Sequence, residues 1–177
     1  MSDSINLTTQ FISEEYSVYV AKDDFRFSAG HFMAFKGFRE PLHGHNYTVS
    51  VSLKGPVYSD GYVLDFGDVK SITRRMCKQF NQHFLVPMKS DVLKINVTEK
   101  QVEITTEDDS FFSFPLVDCV LLPIIHTSAE EMAKYLCDLF LKELGEETIK
   151  KRHIQEIDIS VSEITNQTAN YHRVIQQ

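Results

Sequence analysis

The chain has 177 residues, of which 42% are apolar and 24% are charged, which predicts a single domain over residues 1–177. The formal net charge of −7 argues against a nucleic-acid-binding or membrane-surface protein, and no apolar run reaches the roughly 18 residues of a membrane span. Three cysteines whose spacings match no metal motif, and an N-terminal segment without a signal-peptide core, predict a reduced, cytoplasmic protein.

The first half of the chain is predicted to contain two long strands and a helix. The first strand runs from about Tyr16 to His31, is interrupted at residues 22–24, and ends in strict alternation of apolar and polar residues. The second strand starts at His43 and is terminated by a Gly-Pro pair at residues 55–56. The first helix begins at Asp65, a residue type that favours helix N-termini.

The second half is predicted to be rich in strands and to contain one more helix. Residues 92–122 are expected to include a hairpin that turns at Glu99 and Lys100. A capping box at Ser128 opens the second helix, and Gly145 is expected to end it. A last strand covers residues 157–163. This order of elements predicts an α+β fold with an antiparallel sheet.

Three histidines are predicted to meet at one buried face. His43 and His45 lie two residues apart on a strand, so their side chains emerge on the same side, and His31 ends the apolar face of the other strand. Buried imidazole nitrogens are costly unless they are satisfied, and Zn²⁺ satisfies them. Three ligands leave a fourth position open, as in catalytic zinc sites. The alternative is that these histidines bond only to the backbone.

Glu163 is a second unusual residue because it continues the apolar face of Ile157, Ile159 and Val161 on the last strand. A buried carboxylate needs hydrogen-bond donors as partners, so a donating group is expected beside Glu163. The alternative is a residue at the strand end that turns to solvent.

Several segments, taken in order, cover nearly the whole chain: residues 25–31, 42–47, 61–70, 127–133 and 161–164, followed by Tyr171. Their sequences and order resemble the 6-pyruvoyltetrahydropterin synthase / 6-carboxytetrahydropterin synthase family.

The resemblance implies a tunnelling-fold architecture. The subunit is expected to have a four-stranded antiparallel sheet with two helices on one face. Residues 92–122 look like an extra hairpin that occurs in some branches only. Three subunits are expected to join their sheets into a barrel, and two trimers to stack into a homohexamer with active sites between subunits.

The resemblance also implies a lyase that uses Zn²⁺ held by His31, His43 and His45. It places Glu163 against the pterin ring and Glu130 near it, although Glu130 could instead serve only as a helix-capping carboxylate. The implied substrate is 7,8-dihydroneopterin triphosphate. The implied reaction is triphosphate elimination, as in tetrahydrobiopterin biosynthesis, or side-chain cleavage to 6-hydroxymethyl-dihydropterin, a folate precursor.

The loop before His43 differs from that of the biosynthetic members of the family. Those members have a cysteine four residues before the histidine, where this chain has Arg39. The neighbouring Glu40 gives Glu-x-x-His-Gly-His, which resembles a variant branch with glutamate in place of the cysteine. Glu40 is therefore a candidate general base, with a solvated loop residue as the alternative. Arg39 is expected to contact the triphosphate through bidentate hydrogen bonds.

A second departure follows the first helix. The family's Asp-His pair falls on Asn81 and Gln82, with His83 one position late. A one-residue bulge would bring His83 into place as a second catalytic proton carrier, and the alternative is a surface or structural histidine.

These departures leave two rival functions open. The changes at positions 39 and 82 favour a pterin-binding protein without synthase activity. A 6-carboxytetrahydropterin synthase is the other rival, and the missing cysteine argues against it.

Overall fold

The computed structural model describes residues 15–176 of the chain. Two long helices pack against one face of the main sheet, and a smaller sheet lies beside it. The elements are β1 (Tyr16–His31), β2 (Ala34–Phe35), β3 (Phe38–Arg39), β4 (His43–Gly55), α1 (Phe66–Phe80), β5 (His83–Pro87), β6 (Lys94–Val97), β7 (Gln101–Thr105), β8 (Phe111–Pro115), β9 (Cys119–Leu122), α2 (Ala129–Leu144), α3 (Glu146–Lys151), β10 (Glu156–Ile164) and β11 (Gln167–Val174).

The main sheet has six strands in the order β11-β10-β4-β1-β5-β9. The predicted four-stranded antiparallel sheet is confirmed as β11-β10-β4-β1, and β5 and β9 extend it in parallel. Strand β5 was not predicted because it is buried at nearly every position and lacks the alternation of a half-exposed strand. Strand β9 lies at the end of the stretch predicted to be rich in strands, but its parallel pairing with β5 was not predicted. The α+β class therefore holds, with a mixed sheet in place of a purely antiparallel one.

Pairing of β1 with β4 sets the position of the histidines. The predicted interruption of β1 is a register shift between Ala21 and Arg26, after which pairing continues to the strand end. In this register His31 lies directly opposite His43, and Ala29 lies opposite His45. The histidines thus meet at one end of the two longest strands.

The described part of the chain contains two hydrophobic cores. The larger lies between the main sheet and α1 and α2, and the smaller lies under β6, β7 and β8. The predicted hairpin is confirmed as β6 and β7, but β8 adds a third antiparallel strand, so the segment is a small sheet. The structure also adds a short third helix, α3, that was not predicted. No helix within residues 15–176 is long and apolar enough to cross a membrane.

The predicted helix ends agree with the structure. The Asp65 carboxylate accepts a hydrogen bond from the Gly67 N–H at 2.6 Å, and the Ser128 hydroxyl accepts one from the Glu131 N–H at 3.3 Å. Gly145 ends α2 with φ of 82°, a conformation that favours glycine. The Ser128 cap places the first turn of α2 beside the histidine end of the sheet, because the preceding residue contacts His31.

Candidate active site

The three predicted histidines converge, but the buried face predicted for them holds only in part, because His31 is buried, His45 is half-buried and His43 is exposed. One ring nitrogen of each of His31, His43 and His45 lies within 4.8 Å of the others, a set that could hold a metal ion. The Nε2 atoms of His43 and His45 are 3.0 Å apart. Strand register explains this convergence, since two of the residues share a face of β4 and the third is paired across from them on β1.

Backbone carbonyls orient two of the imidazoles. The Nδ1 atom of His31 is 3.1 Å from the carbonyl oxygen of Thr127, and the Nδ1 atom of His43 is 2.8 Å from that of Pro41. Because a carbonyl can only accept, each ring carries its proton on Nδ1 and presents the Nε2 lone pair to the other histidines. This is the usual arrangement around a metal-binding histidine.

His31 provides the strongest argument that these residues fit a metal. Its side chain is buried, and its Nε2 atom has no hydrogen-bond partner within residues 15–176. Burial, and then the neighbouring rings of His43 and His45, lower the pKa of His31 to about 4, so the ring is neutral at physiological pH. A neutral, unpartnered, buried imidazole nitrogen is costly for a protein unless it binds a ligand.

Three carboxylates share the cavity of the histidines. The cavity has a volume of about 430 Å³ and is also lined by Glu40, Glu130 and Glu163. Burial raises the pKa of Glu163, and the negative charges of Glu130 and Glu40 raise it further, while His45 opposes them. A carboxylate of this kind gains from a ligand that donates hydrogen bonds.

Glu163 reaches this cavity through an irregularity of the sheet. Pairing of β10 with β11 shifts between Ser162 and Ile164, which leaves Glu163 without a cross-strand partner on β11. Such bulges redirect a side chain, and they are common next to functional sites.

Glu40 lies at the metal side of the cavity. Its Oε2 atom accepts a hydrogen bond from the Met33 N–H at 3.0 Å and lies 4.0 Å from the Nε2 atom of His43. The backbone N–H of Glu40 donates to the Met33 carbonyl at 2.9 Å. These hydrogen bonds therefore hold the Glu40 carboxylate close to the nitrogen atoms of the histidines.

Arg39 and His83 do not line this cavity. The Arg39 guanidinium contacts Asp108 and Ser110 at the boundary of a different cavity. His83 lies in an open groove that is also bordered by His43 and His45. Gln82, in the turn before His83, has φ of 63°, but the pairing of β5 with β1 and β9 contains no bulge.

Sequence reasoning missed the residues that orient the site through their backbone. Met33, Pro41 and Thr127 hold Glu40, His43 and His31 by main-chain groups, which any residue type could supply. The one sequence signal was the position of Thr127, directly before the predicted cap of α2.

Comparison with known proteins gives a consistent result over the whole fold. The family described as 6-pyruvoyl tetrahydropterin synthase matches residues 19–174. Structures of 6-pyruvoyl tetrahydropterin synthase from Plasmodium falciparum and Plasmodium vivax are 42% and 44% identical to this chain. Each superimposes with a TM-score of 0.89 and covers 92% of this chain and 100% of its own.

Two further groups of relatives bear on the chemistry. A putative 6-carboxy-5,6,7,8-tetrahydropterin synthase from Methanocaldococcus jannaschii is 29% identical over 155 residues, which is 85% of this chain and 91% of the relative. Two other Plasmodium vivax structures are described as catalytic residue mutants, in which a glutamate is replaced by alanine or by cysteine. The matched span, the shared fold and the converging histidines lead to one conclusion: this chain belongs to the 6-pyruvoyl tetrahydropterin synthase family.

Proposed function

We propose that this protein is a zinc-dependent lyase that acts on 7,8-dihydroneopterin triphosphate. The observation that supports this most directly is one cavity in which three imidazoles converge beside three carboxylates. The three histidines leave a coordination position open, as suits a catalytic Zn²⁺. The carboxylates can accept hydrogen bonds from the N–H groups of an uncharged pterin ring, and one of them can act as a general base.

Glu163 is proposed to anchor the pterin. Its partly buried carboxylate faces the cavity from the bulge of β10, and the aminopyrimidinone edge of a pterin presents two adjacent N–H donors. Glu130, in the first turn of α2, lines the same cavity and is proposed to accept a further hydrogen bond from the ring.

His31, His43 and His45 are proposed to hold the zinc ion. When bound, the ion would lower the pKa of a substrate side-chain hydroxyl and polarise a developing carbonyl. Glu40 is proposed as the general base that removes the proton, because its carboxylate lies next to the histidine nitrogens. The Plasmodium vivax variants show that a glutamate is catalytic in a protein 43% identical to this chain, which favours a catalytic glutamate here as well.

Two outcomes remain for the substrate once its proton is removed. The triphosphate can leave, or the side chain can be cleaved to give 6-hydroxymethyl-dihydropterin. The biosynthetic family members have a cysteine at the position of Arg39, whereas this chain has a glutamate at the next position, Glu40. This replacement favours cleavage of the side chain. A second candidate function is 6-carboxytetrahydropterin synthesis, because the curated relatives carry that name at 29% and 27% identity.

The direct test incubates metal-loaded protein with 7,8-dihydroneopterin triphosphate and identifies the pterin products by mass spectrometry. We expect 6-hydroxymethyl-dihydropterin or 6-pyruvoyl-tetrahydropterin. Release of acetaldehyde would instead support the carboxytetrahydropterin synthase reaction. Pterin binding with no product, from protein with its metal fully bound, would contradict the enzyme and favour a pterin-binding protein.

We further propose a cytoplasmic homohexamer. Within residues 15–176 the outer strands of the main sheet, β9 and β11, each present an unpaired edge, and such edges require cover. Joining these edges between subunits would also bring the groove of His83 to a neighbouring subunit, where that histidine could serve as a proton carrier. Light scattering would test the assembly by measuring the mass of the particle in solution. The chain has a mass of 20.4 kDa, and a particle of that mass would be a monomer and would contradict the proposed hexamer.

A further inference from the structure

The segment that carries Glu40 has little structure of its own. Strands β2 and β3 form a hairpin (residues 34–39) with only two residue pairs, and it is separate from both larger sheets. An isolated two-stranded hairpin is marginally stable in water. Glu40, directly after this hairpin, forms two hydrogen bonds with Met33, and beyond these its position depends on contacts from elsewhere in the chain.

Those contacts come from the turn between β7 and β8 (residues 106–110), about seventy residues further along the chain. The Arg39 guanidinium donates to Asp108 Oδ2 through Nε at 3.2 Å and Nη2 at 3.0 Å. It also donates to Ser110 Oγ at 3.2 Å and, through Nη1, to the carbonyl oxygen of Glu40 at 2.9 Å. Arg39 thus joins the turn to the backbone of Glu40.

A second hydrogen bond supports the tip of the hairpin. The Gly37 N–H donates to Glu107 Oε2 at 2.7 Å. Gly37 has φ of 79°, a backbone conformation that residues with a side chain adopt only with strain. Two adjacent acidic residues of the turn therefore hold two different points of the hairpin.

The turn is itself well defined. The Thr106 hydroxyl and the Ser110 N–H both donate to Asp108 Oδ1, which leaves Oδ2 for Arg39. These hydrogen bonds, first from Thr106 and then from Arg39, hold the pKa of Asp108 well below its usual range. Asp108 is accordingly an ionised, pre-oriented acceptor at neutral pH.

The same arginine also contacts the smaller core. Its guanidinium lies 5.5 Å from the ring centroid of Phe112 and 6.0 Å from that of Phe32. The two rings stack at 5.0 Å, and Phe32 directly follows the metal-binding candidate His31. The small sheet is therefore packed against the end of β1 as well as against the hairpin.

We propose that the β7–β8 turn positions Glu40 for proton transfer, with Arg39 and Asp108 as positioning residues. The functional part of this inference rests on the proposed role of Glu40, whereas the structural part does not. The segment at residues 92–122 then serves to hold the glutamate at the metal side of the cavity.

This role differs from the phosphate contact that the sequence predicts for Arg39. All three nitrogens of the guanidinium already donate within the chain. Substitution of Asp108 distinguishes the two roles. If Arg39 binds phosphate, releasing it from Asp108 should leave triphosphate binding at least as strong as before.

The test compares Asp108→Asn with a matched control, Asp24→Asn. Asp24 also accepts from an arginine at 2.6 Å, and the two side chains are 51% and 56% exposed. Hydrogen exchange at the Met33 and Glu40 amides, which close the hairpin, should accelerate at least tenfold in Asp108→Asn and not in Asp24→Asn. With the triphosphate substrate, kcat should fall about 10- to 100-fold at unchanged KM, as expected for a misplaced base.

A double variant, Arg39→Gln with Asp108→Asn, should be no slower than either single variant if the two residues act through each other. Unchanged exchange at the two amides in Asp108→Asn would overturn the inference. Faster exchange in Asp108→Asn with kcat at the wild-type value would also overturn it. A lower KM in Asp108→Asn would overturn it as well, because that result would identify Arg39 as a phosphate ligand. If the wild-type protein gives no product, the proposed function fails, and the exchange data alone decide whether the turn holds the hairpin.

Discussion

The two sides of the cavity are built by different means. The histidines lie at the end of β1 and β4, which have 16 and 13 residues and pair along most of their length. Glu40 follows a hairpin with two residue pairs, and side-chain hydrogen bonds from a distant turn hold it. One side is fixed by backbone register, and the other by two hydrogen bonds to Met33 and a few polar side chains.

This difference indicates how each side responds to change. A strand register cannot slip without turning a whole buried face to solvent, so the ligand set is as stable as the fold. The Glu40 segment depends on exposed and partly exposed hydrogen bonds, which are individually weak. We therefore expect the metal site to tolerate changes around the hairpin, while the chemistry is sensitive to them.

The largest effect is expected from removing a metal ligand. In His45→Ala only two imidazoles remain, and we expect the bound metal to fall from about one ion per chain to nearly none, with loss of turnover. The control is His172→Ala, because His172 lies on β11 and pairs with Asp158 at 2.9 Å, away from the histidine cluster. Full metal content in His45→Ala, measured by elemental analysis, would show that the ion binds elsewhere.

Removal of the proposed base should separate the two sides of the cavity. In Glu40→Ala we expect kcat to fall roughly 10²- to 10⁴-fold, the contribution typical of a general base, while metal content stays the same. Glu99→Ala, in the exposed turn between β6 and β7, provides the control. An unchanged kcat would remove Glu40 from the mechanism, and a loss of metal would mean that the two sides are not independent.

A third substitution probes the pterin rather than the metal. In Glu163→Gln we expect the dissociation constant for a pterin to rise about 10- to 100-fold, because a neutral amide replaces a charged acceptor. Glu156→Gln is the matched control, since Glu156 lies at the other end of β10 and pairs with Lys54 at 2.7 Å. Equal affinities for wild type and Glu163→Gln, measured by fluorescence titration, would exclude this anchoring role.

The contrast between the two sides also explains what the sequence could predict. Alternation along β1 and β4 places His31, His43 and His45 on one face, and the structure brings their nitrogens together. The parallel strand β5 carries no such alternation and was missed. Local pattern is sufficient where a strand is half buried, and it fails where both faces are covered.

The setting of Glu40 could not be predicted for a different reason. It depends on Asp108, which is 68 residues away from Glu40, and on a turn inside a segment whose sequence predicts a plain hairpin. The sequence assigns Arg39 to the substrate because an exposed arginine suits phosphate, but its partners are the acidic and hydroxyl groups of that turn. Pairings of this kind are decided by tertiary packing and leave no periodic signal.

The smallest effect is expected at Tyr47, which tests whether register alone fixes the histidines. Its ring stacks on Phe27 at 4.7 Å and lies 5.9 Å from His31 and 5.6 Å from His45, measured between centroids. Burial raises its pKa above the usual range, so the hydroxyl stays protonated. That hydroxyl is buried and has no hydrogen-bond partner within residues 15–176.

In Tyr47→Phe we therefore expect the free energy of unfolding to change by less than about 1 kcal/mol, since an unsatisfied buried hydroxyl contributes no net stability. Metal content and kcat should stay at wild-type values, because the stacked ring and the strand register remain. Chemical denaturation and steady-state kinetics measure both. A marked fall in kcat at full metal content would instead make the Tyr47 hydroxyl part of the proton path, and the histidine side of the cavity would then supply chemistry as well as a metal site.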